Sequence, residues 1–245
     1  MKSRLLHGLP RRAFLLLMLA GAAFIAVNSG EYLDLEAMPL FVLEKLPLRF
    51  EALYLTTLRV HVVSALLSFP LCLALMTQTV QRRRRLHRWM GRLTGVIVLL
   101  ALVPSGFALA FHARGGWLGS LGFWLTGGIV AAAMVLGVRA ARRGELKRHA
   151  HAMRHVVAQM CVAVTSRALM LALDAGGVEP ELGYVVALWV PVLGHALWVE
   201  SLSAGVVRTF ARGVVAWWEG ASHEGSRLAG LRGRAVVRAV VRDGR

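Results

Sequence analysis

Acidic side chains are scarce in this sequence: 13 Asp and Glu stand against 29 Lys and Arg, for a formal net charge of +16. Cysteine is scarcer still. Cys72 and Cys161 each lie inside an apolar run and no CxxC pair exists, which argues against a disulfide scaffold or a thiolate metal centre. Both read as small core hydrophobes. The chain also lacks a glycine-rich phosphate loop, an HExxH helix and a nucleophile with a base and an orienting partner, so nothing points to a hydrolase. On a soluble domain so basic a balance would suggest nucleic acid. Here the cations cluster between long apolar segments, and nucleic-acid binding is set aside.

Hydrophobic residues make up 57% of the 245, with a mean hydropathy of +0.59. Soluble domains average about 45–50%. The expected fold is all-α, a polytopic six-transmembrane-helix bundle of the bacterial inner membrane. Its spans fall near residues 13–28, 52–78, 93–111, 121–138, 150–173 and 184–205, most of them long enough to cross about 30 Å of hydrocarbon. Around this membrane domain, residues 13–206, lie a basic N-terminal segment at 1–12 and a basic amphipathic tail at 207–245. The first span also has the shape of a secretory signal, with Ala20-Gly21-Ala22 as a cleavage triplet. An uncleaved span is the favoured reading because five more follow. The net acidic stretch 31–51 reads as an outside loop carrying a short surface helix.

Lys and Arg number four in the N-terminal segment, six at 81–92, six at 139–154 and eight in the tail. The outside loops hold Lys45, Arg49 and Arg114. The positive-inside rule then places both termini in the cytoplasm. Arginines on that side meet anionic lipid head groups.

The chemistry-bearing residues lie within the spans. On the fifth, His151, His155, Gln159, Val162 and Ser166 share one helical stripe that should turn inward. Arg167 lies beside it, roughly 10 Å below the far surface. A guanidinium stays charged there and needs an anion, carbonyls or water. Asp174, seven residues on, offers part of that, and snorkelling to the surface is the alternative. In the second span His61 sits on a stripe of hydroxyls and Arg59 points almost the other way, while Pro70 should kink the helix. Pro104-Ser105-Gly106 should kink the third and turn backbone carbonyls inward. The Gly- and Ala-rich fourth span should let neighbouring helices approach closely.

Sorted by depth, Arg59, His61, Ser105, Arg167 and His195 form an outer polar layer. His87, His149, His151, His155 and Glu200 form an inner one. Two imidazole layers suit a pair of b-type haems, His61 with His195 outside and His87 with His151 or His155 inside, arginines pairing with the propionates. In that reading the protein is a haem b or quinone-linked electron carrier. The same layers suit a transporter or binding protein in which Arg59 and Arg167 take an organic anion and the histidines pass protons. A scaffold without chemistry is the third reading.

Three features together resemble a bacterial membrane family known as domain of unknown function 2306: His61 in a span, HRWMGR at 87–92 ahead of an apolar span, and a His-x3-Met start at 149–153 leading to Thr165-x-Arg167. The resemblance runs from about Leu58 to Leu173 and implies a multi-span bundle with no assigned reaction. This chain has Ala152 and His155 where the family usually shows Trp and Arg. Similarity to six-helix haem-carrying transmembrane cytochromes is one of architecture alone.

Overall fold

The computed structural model describes residues 2–34, 42 and 50–201, with side chains from residue 13 onward. The tail at 207–245, the side chains of the 1–12 segment and most of the loop expected to carry a surface helix lie outside them. The chain forms two compact units, Met1–Val199 and Glu200–Arg245. The helical bundle below is the first.

Seven α-helices with described ends, a 3-10 turn at Gly30–Tyr32 and no strand occur among the described residues. The seven helices are α1 (Lys2–Asn28), α2 (Glu51–Leu75), the short α3 (Gln78–Arg82), α4 (Arg84–Ala110), α5 (Gly116–Arg142), α6 (Leu146–Ala175) and α7 (Pro180–Ser201). Five of them, α2 and α4 to α7, are long and apolar enough to cross a membrane, whereas the apolar part of α1, Ala13–Asn28, is shorter. The helices overrun the expected apolar boundaries at the basic end. α4 begins at Arg84 rather than near 93, so with the end of α3 all of the arginine-rich linker 81–92 except Arg83 is helix, and α5 continues through Arg139 and Arg142. Cations at the end of α5 suit the partial negative charge of a helix C-terminus.

Local signals set the remaining ends. Gly115 and Gly116 adopt left-handed φ of 78° and 59° in the tight turn before α5, where a side chain would be strained. Glu179 caps α7: its carboxylate accepts the backbone N–H groups of Glu181 and Leu182 at 3.0 and 2.7 Å, with Pro180 at the first helical position. Those bonds hold the Glu179 carboxyl below the usual carboxylate range. The cap's contribution is present above that range and fades as pH falls through it.

Within α4 the Pro104 kink takes a specific form. Pro104 has no N–H to donate, and the helix widens into a π turn over Val98–Leu102 just before it.

The core gathers Phe69, Leu73, Val98, Met134, Val156 and Met160. By their positions along antiparallel helices, these lie from mid-bundle toward the basic end. Glycines on α5 let three partners close in. An added Cβ would come within 2.6 Å of Leu188 at Gly122, 2.7 Å of the Phe107 ring at Gly127 and 2.3 Å of Met153 at Gly137. Without a water-driven force between helices, such close approach is what holds a membrane bundle together.

Gly127→Ala forces the Phe107 ring aside and should cost about 1–3 kcal/mol, lowering the melting temperature in detergent. Gly128, one residue on, has nothing within 4 Å. Gly128→Ala should hold or raise it, since alanine is the better helix former by about 1 kcal/mol. Equal effects of the two would contradict this packing.

Candidate functional site

At the end of the bundle opposite the arginine clusters, the helices enclose a cavity of about 840 Å³. That is within the roughly 300–1,000 Å³ of small-molecule sites. On α2 it extends from Tyr54 to Pro70 and on α6 from Gln159 to Met170. At about 1.5 Å per residue, those stretches are some 24 and 16 Å long. Most of the wall is aliphatic. Its polar groups are few and placed on different helices.

Arg167 is the first of them. Its Nη1 donates to the carbonyl of Ala163 at 2.8 Å, one turn back along α6. This turns the guanidinium inward, away from the near end of the helix, as side chains on a helix lean toward its N-terminus. It lines the cavity and is itself exposed, so the cavity is open around it. Asp174 forms no ion pair with it, and the ion pairs among the described residues join Arg114 to Glu181 and Arg148 to Glu145. Arg114, at the mouth, is thus matched by Glu181 at 3.2 Å. Among the described residues, Arg167 has no carboxylate paired with it.

Arg59 behaves differently. Its guanidinium donates to the carbonyls of Tyr32 at 3.3 Å and Asp34 at 2.8 Å. It therefore pins the turn after α1, and it is not among the cavity-lining residues. Of the two expected anion-binding arginines, Arg167 faces the cavity.

His61 lines the cavity against the π turn. Its Nδ1 lies 3.2 Å from the carbonyl of Leu102 and 3.2 Å from Ser105 Oγ, whose hydroxyl donates to Ala101 at 2.6 Å. A carbonyl only accepts, so Nδ1 carries the proton and Nε2 keeps a lone pair. The π turn before Pro104 thus supplies the carbonyl that orients the ring. Gly106 makes room, since a Cβ there would sit 3.1 Å from Cε1 of His61.

Gln159, 3% exposed, ties three helices. Its Oε1 accepts from Thr126 Oγ1 at 2.7 Å and its Nε2 donates to the Val192 carbonyl at 3.0 Å, joining α5, α6 and α7 at the cavity wall. With Val162 and Ser166 it forms the inward part of the α6 stripe, and all three line the cavity.

The family model described as Predicted membrane protein (DUF2306) matches residues 58–203, more than half of the chain and nearly all of the bundle from α2 onward. The chain belongs to this family. No curated protein and no solved structure matches it. The matched stretch of the DUF2306 chain includes His61, Gln159 and Arg167, while Arg59 within it serves the turn.

Of the other histidines of this DUF2306 bundle, His112 also lines the cavity, toward its mouth, with its ring edge to face against Tyr54 at 5.4 Å. His195 donates through Nδ1 to the Ala158 carbonyl at 2.7 Å and does not line the cavity, so it is not set opposite His61 there. His149 donates to the Gly137 carbonyl at 2.9 Å, and its ring meets His87 edge to face with centroids 6.3 Å apart. His151 and His155 meet one another along α6 at 5.0 Å. The inner layer thus pairs His87 with His149 rather than with His151 or His155.

Sequence reasoning missed the tyrosines. All three in the chain, Tyr32, Tyr54 and Tyr184, line the cavity. Each falls just outside or just inside the same end of a span, and that shared end was the signal. Burial and the neighbouring Glu31 push the Tyr32 phenol above its usual range, and the charge of Arg167 pulls it back, which places Arg167 within electrostatic reach of the mouth.

Gln159→Leu leaves the Thr126 hydroxyl and the Val192 carbonyl without their partner and should cost about 1–3 kcal/mol. Thr126→Val together with Gln159→Leu should cost less than the sum of the two alone, by about 0.5–2 kcal/mol in a double-mutant cycle of detergent melting. Strict additivity would deny the bond.

Proposed function

We propose that this membrane protein binds a small organic anion in the cavity and acts as a carrier or receptor for it. It does so as a six-span bacterial inner-membrane bundle with both termini cytoplasmic. The observation behind the reading is Arg167: a guanidinium turned into an apolar cavity, with one bond to its own helix and no matching carboxylate among the described residues. An Arg at the centre of a span costs about 2.5–3.5 kcal/mol on insertion scales and less nearer the surface, a cost that is tolerated where the residue serves a ligand or a path. A bidentate anion takes two of the remaining donors and balances the charge.

The sidedness follows from charge. The clusters at 81–92 and 139–154 lie at the opposite end from the cavity, and the positive-inside rule makes that end cytoplasmic. The cavity then faces outward. α1 completes the six spans, its shorter apolar stretch crossing with help from its N-terminal turns. His61, with Nε2 free of Leu102 and Ser105, is placed to accept a proton from a protonated acid or to hydrogen-bond the bound anion.

Electron transfer through haem b or quinone has less behind it. Bis-imidazole ligation asks for a second ring across from His61, and His195, the expected partner, lies elsewhere. Protein purified from haem-replete cells should be colourless. A Soret band lost on His61→Ala would revive that alternative.

The direct test uses hexanoate and benzoate against hexanol and benzyl alcohol. The two anions should raise the melting temperature of the purified protein and the alcohols should not. Arg167→Gln should weaken anion binding about 10- to 100-fold, the loss of one charge-assisted contact of about 1.5–3 kcal/mol. It should also leave the ligand-free protein as stable as before, or more so, because an unmatched charge has gone. A strongly destabilised Arg167→Gln variant, or equal response to acids and alcohols, would contradict the reading.

A further inference from the structure

The distribution of polarity along the cavity narrows the class of ligand, given the anion-binding reading above. The polar groups crowd toward the mouth. Arg167, Tyr32, Tyr184 and the Arg114–Glu181 pair all belong to the outer ends of their helices. The deep end, reached about 18–24 Å along α2 from Tyr54, is walled by Leu66, Phe69, Pro70, Val103, Val130 and Met160. The cavity is therefore long, narrow in its chemistry and polarised: one cation near the top, hydrocarbon below.

The length carries meaning. Below Arg167 the α6 wall runs about 12 Å down to Gln159, close to half of the roughly 30 Å hydrocarbon core and so near the depth that one acyl chain occupies in a leaflet. The charge does too. A single unmatched guanidinium neutralises a monoanion, while Arg114 is already occupied by Glu181. A dicarboxylate would leave its second charge against Phe69 and Met160, where nothing on the wall repays the loss of water.

We propose that the ligand is a single-chain amphipathic monoanion, a long-chain carboxylate, bound with its head at Arg167 and its tail running down to Phe69 and Met160. Tyr184 offers a hydroxyl on the head side, whereas the Tyr32 phenol is hydrogen-bonded to Glu31 and Arg59 holds the backbone of its turn. Gln159 and Thr126, which spend their polar atoms on each other and on Val192, leave the mid-cavity wall without a competing demand for hydrogen bonds. Access from the outer surface suits a molecule that arrives by partitioning into the outer leaflet.

The test compares hexanoate, decanoate, hexadecanoate and decanedioate on the full-length protein in nanodiscs, each corrected for partition into empty discs. Affinity should rise with chain length by up to about fourfold per methylene until the deep end is filled, and decanedioate should bind at least about tenfold more weakly than decanoate. Leu66→Trp and Ala65→Phe, each filling the deep end, should weaken hexadecanoate about tenfold while leaving hexanoate near wild type, and the retained hexanoate binding shows that each variant is folded. Phosphatidylglycerol added at the same concentration should not displace hexadecanoate. Flat dependence on length, preference for the diacid, displacement by phosphatidylglycerol, or hexadecanoate binding untouched by both deep-end variants would each overturn this assignment. In all four cases hexanoate binding that still needs Arg167 would leave the broader anion-binding reading standing, whereas loss of all anion binding would remove both.

Discussion

A guanidinium cannot be discharged by its surroundings, so wherever a chain places one among hydrocarbon walls it has to be answered by an anion, by carbonyls or by water. The two intramembrane arginines of this DUF2306 protein receive different answers. Arg59 is answered by the protein, through the carbonyls of Tyr32 and Asp34. Arg167 takes one carbonyl of its own helix and keeps its other donors for the cavity.

The rest of the bundle keeps that space open and shaped. Glycines on α5 bring α4, α6 and α7 close, so the cavity is bounded by packed helices. Gln159 buckles α5, α6 and α7 with two hydrogen bonds, which in a low-dielectric interior hold more firmly than at a wet surface. The π turn before Pro104 releases a carbonyl toward His61 and fixes which nitrogen of the ring carries the proton. The larger apolar cluster, around Phe69, Leu73, Val98 and Met160, lies away from the mouth, and a smaller one of Val42, Tyr54 and Leu58 lies beside it. Together these place a fixed tautomer, a fixed cation and a smooth wall around one volume.

Much of this was legible in the sequence because lipid restricts the choices. Membrane-length apolar runs read directly as helices, the Pro104 kink and the Gly-rich α5 were visible as residue types, and the Gln159–Ser166 stripe followed from helical period. Helix ends were read less well. An apolar window stops at the first arginine, whereas the backbone of α4 and α5 continues into residues that are themselves good helix formers. The site was only half legible. Arg167 and His61 stood out as charges inside spans, but what each faces depends on the rotation and tilt of helices about one another, which local pattern does not set. For the same reason depth alone paired His61 with His195 and gave Arg59 a ligand, when the fold turns His195 to Ala158 and Arg59 to a turn. The tyrosines went unread because a Tyr at a span end is ordinarily an interfacial anchor.

The claim that everything else leans on is that Arg167 faces an open, apolar space and takes its counter-anion from outside the chain. An experimental density map of the protein, purified gently from its membrane, tests this most directly. The account predicts elongated non-protein density in the cavity, one end within hydrogen-bonding distance of the Arg167 guanidinium and the other against Phe69 and Met160. A carboxylate of the chain seated on Arg167, or side chains filling the volume between α2 and α6, would contradict it.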